Sequence, residues 1–324
     1  MTTLDPDVAR APRGLDAPAA APPRRGRRRG RGVPYLLLAP ALLLLLGFML
    51  VPIGYSLWLS LRAKRVADGS LLGAREEQFV GLQNYANALS DPVFWEALGR
   101  MVLYGAVVVV VMFGLAVVFA LLLDYGRTRL TGVWRTLIFI PYAVPGVIAS
   151  LMWGFLYLPA VSPIHQLFEK VGLTAPDFLG SGTVLFSTAN IAVWGGLGFN
   201  MIILYTALRG VPVELYEAAR LDGASEVGIA LRIKLPLIAP ALVMTMVFAL
   251  IAMIQVYNEP TALEPLSHAI TSSWMPMMKV YNDAFVQGNT YLAAAESVLL
   301  AALTFAVSMG VMRVSRRFTG GDDA

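Results

Sequence analysis

The chain alternates between long apolar runs and short polar islands, and the runs are longer than the core helices of a water-soluble domain. A bilayer core is crossed by about 20 apolar residues in a helix. Between Arg31 and Arg62 lie 30 uncharged residues, which predict a first span at about residues 35–61. The 23 uncharged residues between Arg100 and Asp124 predict a second at about 101–123. Further runs predict spans at about 133–158, 184–208, 237–257 and 291–312, the last interrupted by Glu296. The pattern predicts an all-α polytopic membrane protein with six transmembrane helices, a membrane domain over 33–317, and tails at 1–32 and 318–324.

Composition narrows the function classes. Only 14% of residues are charged and 57% are hydrophobic, against about 25% charged in soluble domains. The mean hydropathy is +0.66. The absence of cysteine excludes disulfides, thiolate metal sites and a Cys nucleophile, and two histidines argue against an imidazole metal centre. No Gly-Lys pair occurs, so a phosphate loop for ATP is excluded.

Charge placement sets the topology. Of the 25 Lys and Arg, 18 fall in the amino tail, on the loops at 124–135 and 209–236, and at the carboxyl end as Arg313, Arg316 and Arg317, which the positive-inside rule puts in the cytosol with both termini. The Arg-rich stretch from Arg24 to Arg31 repels itself and predicts a disordered tail, either attracted to anionic lipid or acting as a plain positive-inside anchor. No small-residue cleavage site follows, so the first span is expected to stay attached.

The largest polar island in the second half, Val211 to Pro236, predicts two short helices joined by a tight turn. Pro212 suits a helix start, and Glu214 and Glu217 favour the positive end of the helix dipole. Leu215, Ala218 and Leu221 form a small apolar face away from Glu217 and Arg220. Gly223 is placed to take a left-handed turn, Ser225 to cap the second helix and Pro236 to end it.

Glu217-Ala218-Ala219, Asp222-Gly223-Ala224, and then Ile233, Leu235 and Pro236 resemble the EAA loop of permease subunits of binding-protein-dependent ATP-driven (ABC) importers. Ile229 stands where that family often has an aromatic residue. The Gly81-Leu82-Gln83-Asn84-Tyr85 run after the first span is similar to the carbohydrate-type subgroup, as is the Phe139 to Pro145 segment of the third span. The resemblance implies a type I ABC importer permease fold with a cytosolic coupling-helix hairpin. In it Glu217, Ala218, Ala219, Arg220, Asp222 and Gly223 meet the ATPase.

Other residues are candidates for a substrate path. Pro141 and Pro145 kink the third helix and free carbonyls that need partners within the protein, so this helix is expected to be buried in the bundle; Trp153 and Tyr157 beyond them either line the path or only pack the kink. Gly195, Gly196 and Gly198 allow close helix approach or a cavity wall. The resemblance carries substrate contacts to Gly195, Gly196 and Phe199, with Asn200 adjoining. Gln255 and Asn258 are expected to share a helix face beside Tyr257 and Glu259, where amides and rings suit sugar hydroxyls or mark the water boundary. A Gly-Gly-Pro run often follows at this place in relatives, and this chain has Glu264-Pro265-Leu266-Ser267 instead. Glu296 either lines the outer mouth or faces water, because a mid-bilayer charge costs about 2.5 to 3.5 kcal/mol.

The resemblance thus implies a non-catalytic permease subunit for a sugar, oligosaccharide or glycerophosphate-like solute. The chain itself would bind no cofactor, with ATP and magnesium used by a separate partner. The partners implied are a second permease, two ATP-binding subunits, an extracytoplasmic solute-binding protein and membrane lipid, with no nucleic acid. The location implied is the bacterial plasma (inner) membrane. The alternative, an ion-driven secondary transporter, normally keeps several acidic or His groups at mid-membrane, and here only Glu296 qualifies.

Overall fold

A computed structural model describes residues 33–66, 75–125 and 129–319. The Arg24 to Arg31 tail and residues 320–324 lie outside the described residues. Among the described residues, four helices are long and apolar enough to cross a membrane: α1 (Tyr35–Ser60), α3 (Pro92–Asp124), α7 (Val184–Arg209) and α13, whose apolar part is Thr290–Arg313. Two bent pairs raise the number of candidate spans to six, matching the expected count. Contacts divide the chain between Pro52 and Ile53, and everything below belongs to the second of these units.

The polar segment after α1 is a two-stranded antiparallel hairpin, β1 (Arg62–Val66) and β2 (Arg75–Phe79), which the helical reading of the sequence did not foresee. Its register sets Lys64 against Glu77 and Arg65 against Glu76, opposite charges across the ladder. Helix α2 (Gln83–Ser90) follows. The Gly81 to Tyr85 motif fastens these pieces together. Gly81 turns the chain at φ +59, and Asn84 Nδ2 donates to the Ser60 and Arg62 carbonyls at 2.8 and 2.7 Å. The Tyr85 hydroxyl meets Ser60 Oγ at 2.6 Å.

Helix α3 starts nine residues earlier than the apolar run, because Asp91 caps it by accepting from Val93 N at 2.9 Å and Pro92 fits its first turn. Its 33 residues reach about 50 Å, longer than the ~30 Å hydrocarbon layer. Within its first turn Phe94 is buried in the fold, while Trp95 is exposed.

The third span is a broken one. Helix α4 (Thr131–Phe139) and a 3₁₀ turn over Ile140–Ala143 meet α5 (Gly146–Tyr157) at a bend of 96°, at the two prolines. Only α5 carries buried residues, so the expected burial of the whole kinked helix holds for its second half alone.

Helix α6 (Pro163–Lys170) leads to α7, which lies against α3. Gly198 makes close approach to α4 possible: a Cβ there would fall 2.3 Å from the Ile138 carbonyl oxygen. Past α7 come α8 (Glu214–Leu221) and α9 (Glu226–Leu237), then a 66° bend into α10 (Ala239–Ile254). The second helix of the polar island is therefore longer than the sequence predicts and includes Pro236, which sits in a new first turn after a π-type turn at Ala230–Lys234.

Helix α10 ends at Gln255, and a fresh short helix, α11 (Asn258–Leu263), begins at Asn258. Gln255 and Asn258 thus do not share a helix face. They flank a break instead. Helix α12 (Pro276–Tyr281) then precedes α13 (Thr290–Thr319), which packs on α10 and α2.

Candidate functional site

Two features stand out, one at the end of the bundle that holds α8 and α9 and one within it. In the first, α8 ends at Asp222, and Gly223 takes φ +84, a left-handed turn that suits glycine. Ser225 Oγ then accepts from Gly228 N at 3.1 Å and caps α9. Arg220 Nε pairs with Glu226 Oε1 at 2.9 Å across the turn. That contact holds the Arg220 guanidinium in its charged form, above its ordinary value.

Glu217, Ala218, Arg220, Asp222 and Gly223 are all exposed, Ala219 is half-buried, and Leu221 is 90% exposed. The opposite side of α8 is anchored by Tyr216, which is buried. Lys234 lies 4.6 Å from the Tyr216 ring centre and pairs with Asp124, at the end of α3, at 2.5 Å. Burial first, and then the Asp124 charge, push the Tyr216 hydroxyl up from its ordinary pKa. The hairpin is thus a rigid plate, anchored on one face and open on the other. Nothing in the sequence pairs Asp124 with Lys234, 110 residues apart.

The second feature is a cavity of about 490 Å³ between α3, the α4–α5 break, α7 and the α10–α11 break. Broken helices leave backbone groups that only a protein-lined or wet space accommodates within a membrane. Gly195, Gly196, Phe199, Asn200, Gln255 and Asn258 all line it. A Cβ on Gly195 would meet nothing within 4 Å, so this glycine opens the wall, whereas one on Gly196 would press Met112 Sδ at 2.8 Å. The three glycines of the motif therefore divide the two expected tasks: Gly198 packs and Gly195 yields space.

Phe199 stacks on Tyr142 with centroids 4.8 Å apart and planes 14° apart, giving a flat aromatic wall. Asn200 Nδ2 is taken up by the Gly196 carbonyl at 2.9 Å. Tyr142, Thr245, Phe248 and Glu259 also line the cavity and were not singled out as path residues. Glu259 stands next to Asn258 in the first turn of α11, and both line the cavity at the break where α10 ends.

Trp153 and Tyr157 line a different hollow of about 470 Å³ with Phe178 and Asn190. The Tyr157 hydroxyl donates to the Ser187 carbonyl at 3.0 Å and accepts from Asn190 Nδ2 at 2.9 Å, a packing role.

Glu296 lines neither space and does not face water. It is fully buried and meets Lys279 Nζ at 2.9 Å, an ion pair that closes the end of the bundle opposite the hairpin. Lys279 also pairs with Asp91 at 2.9 Å and Asp283 at 2.6 Å. Burial works to lower the pKa of Lys279, but its three carboxylate partners outweigh it and raise the group above its ordinary range. For Asp91 burial works upward, and the Lys279 and Val93 N–H contacts overcome it, so the carboxyl titrates below its usual value.

Comparison with known proteins agrees with this architecture. Residues 115–317 match the family model described as binding-protein-dependent transport system inner membrane component. The sn-glycerol-3-phosphate transport system permease protein UgpA of Salmonella typhimurium is 31% identical over 276 residues, 84% of this chain and 90% of that protein. UgpA of Escherichia coli O6:K15:H31 is 30% identical over 285 residues, 87% and 93% of the two chains. Among solved structures, a bacterial ABC transporter involved in the import of the acidic polysaccharide alginate matches with a TM-score of 0.75 at 19% identity. It covers 88% of this chain and 95% of that one. A match that long at that identity shows a shared fold, here that of the importer permeases. The chain therefore belongs to the binding-protein-dependent transport system inner membrane components, and is a non-catalytic permease subunit of an ABC importer, the ATPase being a separate subunit.

Proposed function

We propose that this permease carries a carbohydrate-class solute, a sugar, oligosaccharide or glycerophosphate-like molecule, through the cavity between the two helix breaks. The exposed plate of α8 and the Gly223 turn would receive the motor. The observation that carries the reading is the hairpin's two-faced geometry. Tyr216 and Lys234 fix one side to α3, while Glu217 to Asp222 present the other for docking. The aromatic wall and the amides of Gln255 and Asn258 support the solute class, since rings stack on sugar faces and amides both donate and accept. The relatives' printed names, sn-glycerol-3-phosphate and alginate, fall within or beside the same class.

The assembly is a second permease, two ATP-binding subunits that use ATP and magnesium, and an extracytoplasmic solute-binding protein. It lies in the bacterial plasma membrane with both termini and the hairpin cytosolic. This topology rests on the distribution of basic residues. Closure of the ATPases pushes the plate, and the bundle tilts between outward and inward access.

The test is purification of the tagged chain from its native membrane in mild detergent. Wild type is expected to bring a second permease and an ATPase with it. Gly223→Asp, which places a charged side chain at a left-handed turn on the open face, is expected to insert normally, lose the ATPase and abolish uptake. Normal uptake by that variant at normal protein levels would rule out the docking role.

A further inference from the structure

We infer that Glu259 makes the cavity selective against negatively charged solutes and that its carboxylate receives the hydroxyl groups of an uncharged, polyhydroxylated one. The inference rests on the proposed path and narrows its solute class to uncharged or amine-bearing carbohydrates, setting aside the glycerophosphate-like members and the acidic solutes in the relatives' names.

Among the described residues lining the cavity, Glu259 is the single charged group, with no Lys, Arg or His beside it. Its Oε1 lies against the backbone of Gly146, 3.7 Å from where a Cβ would stand, so the carboxylate belongs to the wall at the α5 start. No ion pair to Glu259 occurs among the described residues. The charged pairs of the fold lie elsewhere, at Asp124–Lys234, Lys279–Glu296, Arg100–Glu96 and Arg220–Glu226.

A site for a phosphate or carboxylate places Arg or Lys at the anion, because a charge taken out of water has to be matched. This wall has the reverse sign. An ionised carboxylate only accepts hydrogen bonds, so the groups it prefers are O–H and N–H donors. Gln255 and Asn258 stand on the same break and can serve the remaining hydroxyls, and the Tyr142–Phe199 stack offers an apolar face to a ring. Repulsion acts most strongly on an anionic group that approaches the break carrying Glu259. An uncharged sugar is exempt, and an amino sugar would be drawn in.

The experiment follows what cells remove from their medium. A strain lacking this chain is complemented with wild type, Glu259→Gln or Glu259→Lys. It is grown in yeast extract with added maltose, sn-glycerol 3-phosphate and digalacturonate, and depletion is followed by mass spectrometry. In parallel, the ATPase co-purifying with each variant is measured. The expected result is chain-dependent depletion of an uncharged or amine-bearing solute, slowed roughly tenfold or more by Glu259→Lys with the ATPase still attached. Chain-dependent depletion of sn-glycerol 3-phosphate, digalacturonate or any other anion by wild type overturns the inference. So does an uncharged solute whose uptake Glu259→Lys leaves unchanged, or an assembled complex that depletes nothing. Loss of both depletion and co-purifying ATPase in wild type would instead overturn the importer path on which the inference stands.

Discussion

Lys279 shows how one side chain can hold an end of the bundle. It is buried and draws together Asp91 at the cap of α3, Asp283 after α12 and Glu296 inside α13. Removing one partner of a buried ion pair costs about 3 to 5 kcal/mol, because the remaining charge stays out of water. Lys279→Met leaves carboxylates uncompensated and is expected to lower the melting temperature of the purified complex sharply. Glu296→Gln removes one of three carboxylates and is expected to lower it much less. Equal losses in a thermal-shift assay would contradict this account.

The pH dependence follows from the same shifts. Lys279 titrates above its ordinary value, so its contribution is complete at neutral pH and is lost only as pH rises through that raised value. Asp91 titrates below the ordinary carboxylate range, so its contribution is present above that range and lost as pH falls through the lowered value. The Lys279–Asp91 pair is expected to hold from neutral to mildly acidic conditions, with tryptophan emission from Trp274, whose carbonyl accepts from Arg100 on α3, unchanged across that range. The sequence displays Glu296 as an anomaly in an apolar run, but its counter-ion stands 17 positions earlier on another helix. A one-dimensional pattern carries no sign of such a partner.

At the scale of elements, local rules worked where neighbouring residues decide the outcome. The Gly223 turn, the Ser225 cap and the Gly81 to Tyr85 clasp all involve chain-adjacent groups, and their residue types are legible. What was not legible is how helix ends are joined. The α10 run looks continuous through Tyr257, yet the chain breaks at Gln255, because the cavity and α11 packing override the local pattern. The Asp124–Lys234 pair under Tyr216 is the clearest such junction, tying the hairpin to α3, whose Tyr104, Val108 and Met112 line the cavity. On the proposed mechanism, this junction is what would carry motion of the plate to the cavity wall. Asp124→Asn leaves Lys234 buried without its partner and is expected to speed amide hydrogen exchange over residues 226–237 while uptake falls. The charge swap Asp124→Lys with Lys234→Asp is expected to recover a substantial part of both. Unchanged exchange in the single variant would show that α3 is not the hairpin's anchor.

For the whole molecule, the six apolar runs dictate the span count, but the space inside the bundle depends on where backbones meet, and glycine alone marks those places ambiguously. Gly195 and Gly198 look alike in sequence and face opposite demands. A Cβ at Gly198 strikes the backbone of Ile138 and Phe139, which cannot move without shifting α4. Gly198→Ala is therefore expected to lower the yield and thermal stability of the folded chain. At Gly195 there is room, so Gly195→Ala should be tolerated, and Gly195→Phe should fold and assemble while filling the cavity beside the Tyr142–Phe199 stack. The aromatic variant separates assembly from passage: co-purified ATPase stays at the wild-type level and uptake in vesicles collapses. Binding protein still stimulates ATP hydrolysis, because the plate and its Asp124–Lys234 anchor are untouched. Uptake by Gly195→Phe at the wild-type rate would mean that solute does not cross through this cavity, and the space between the broken helices would then serve only the tilting of the bundle.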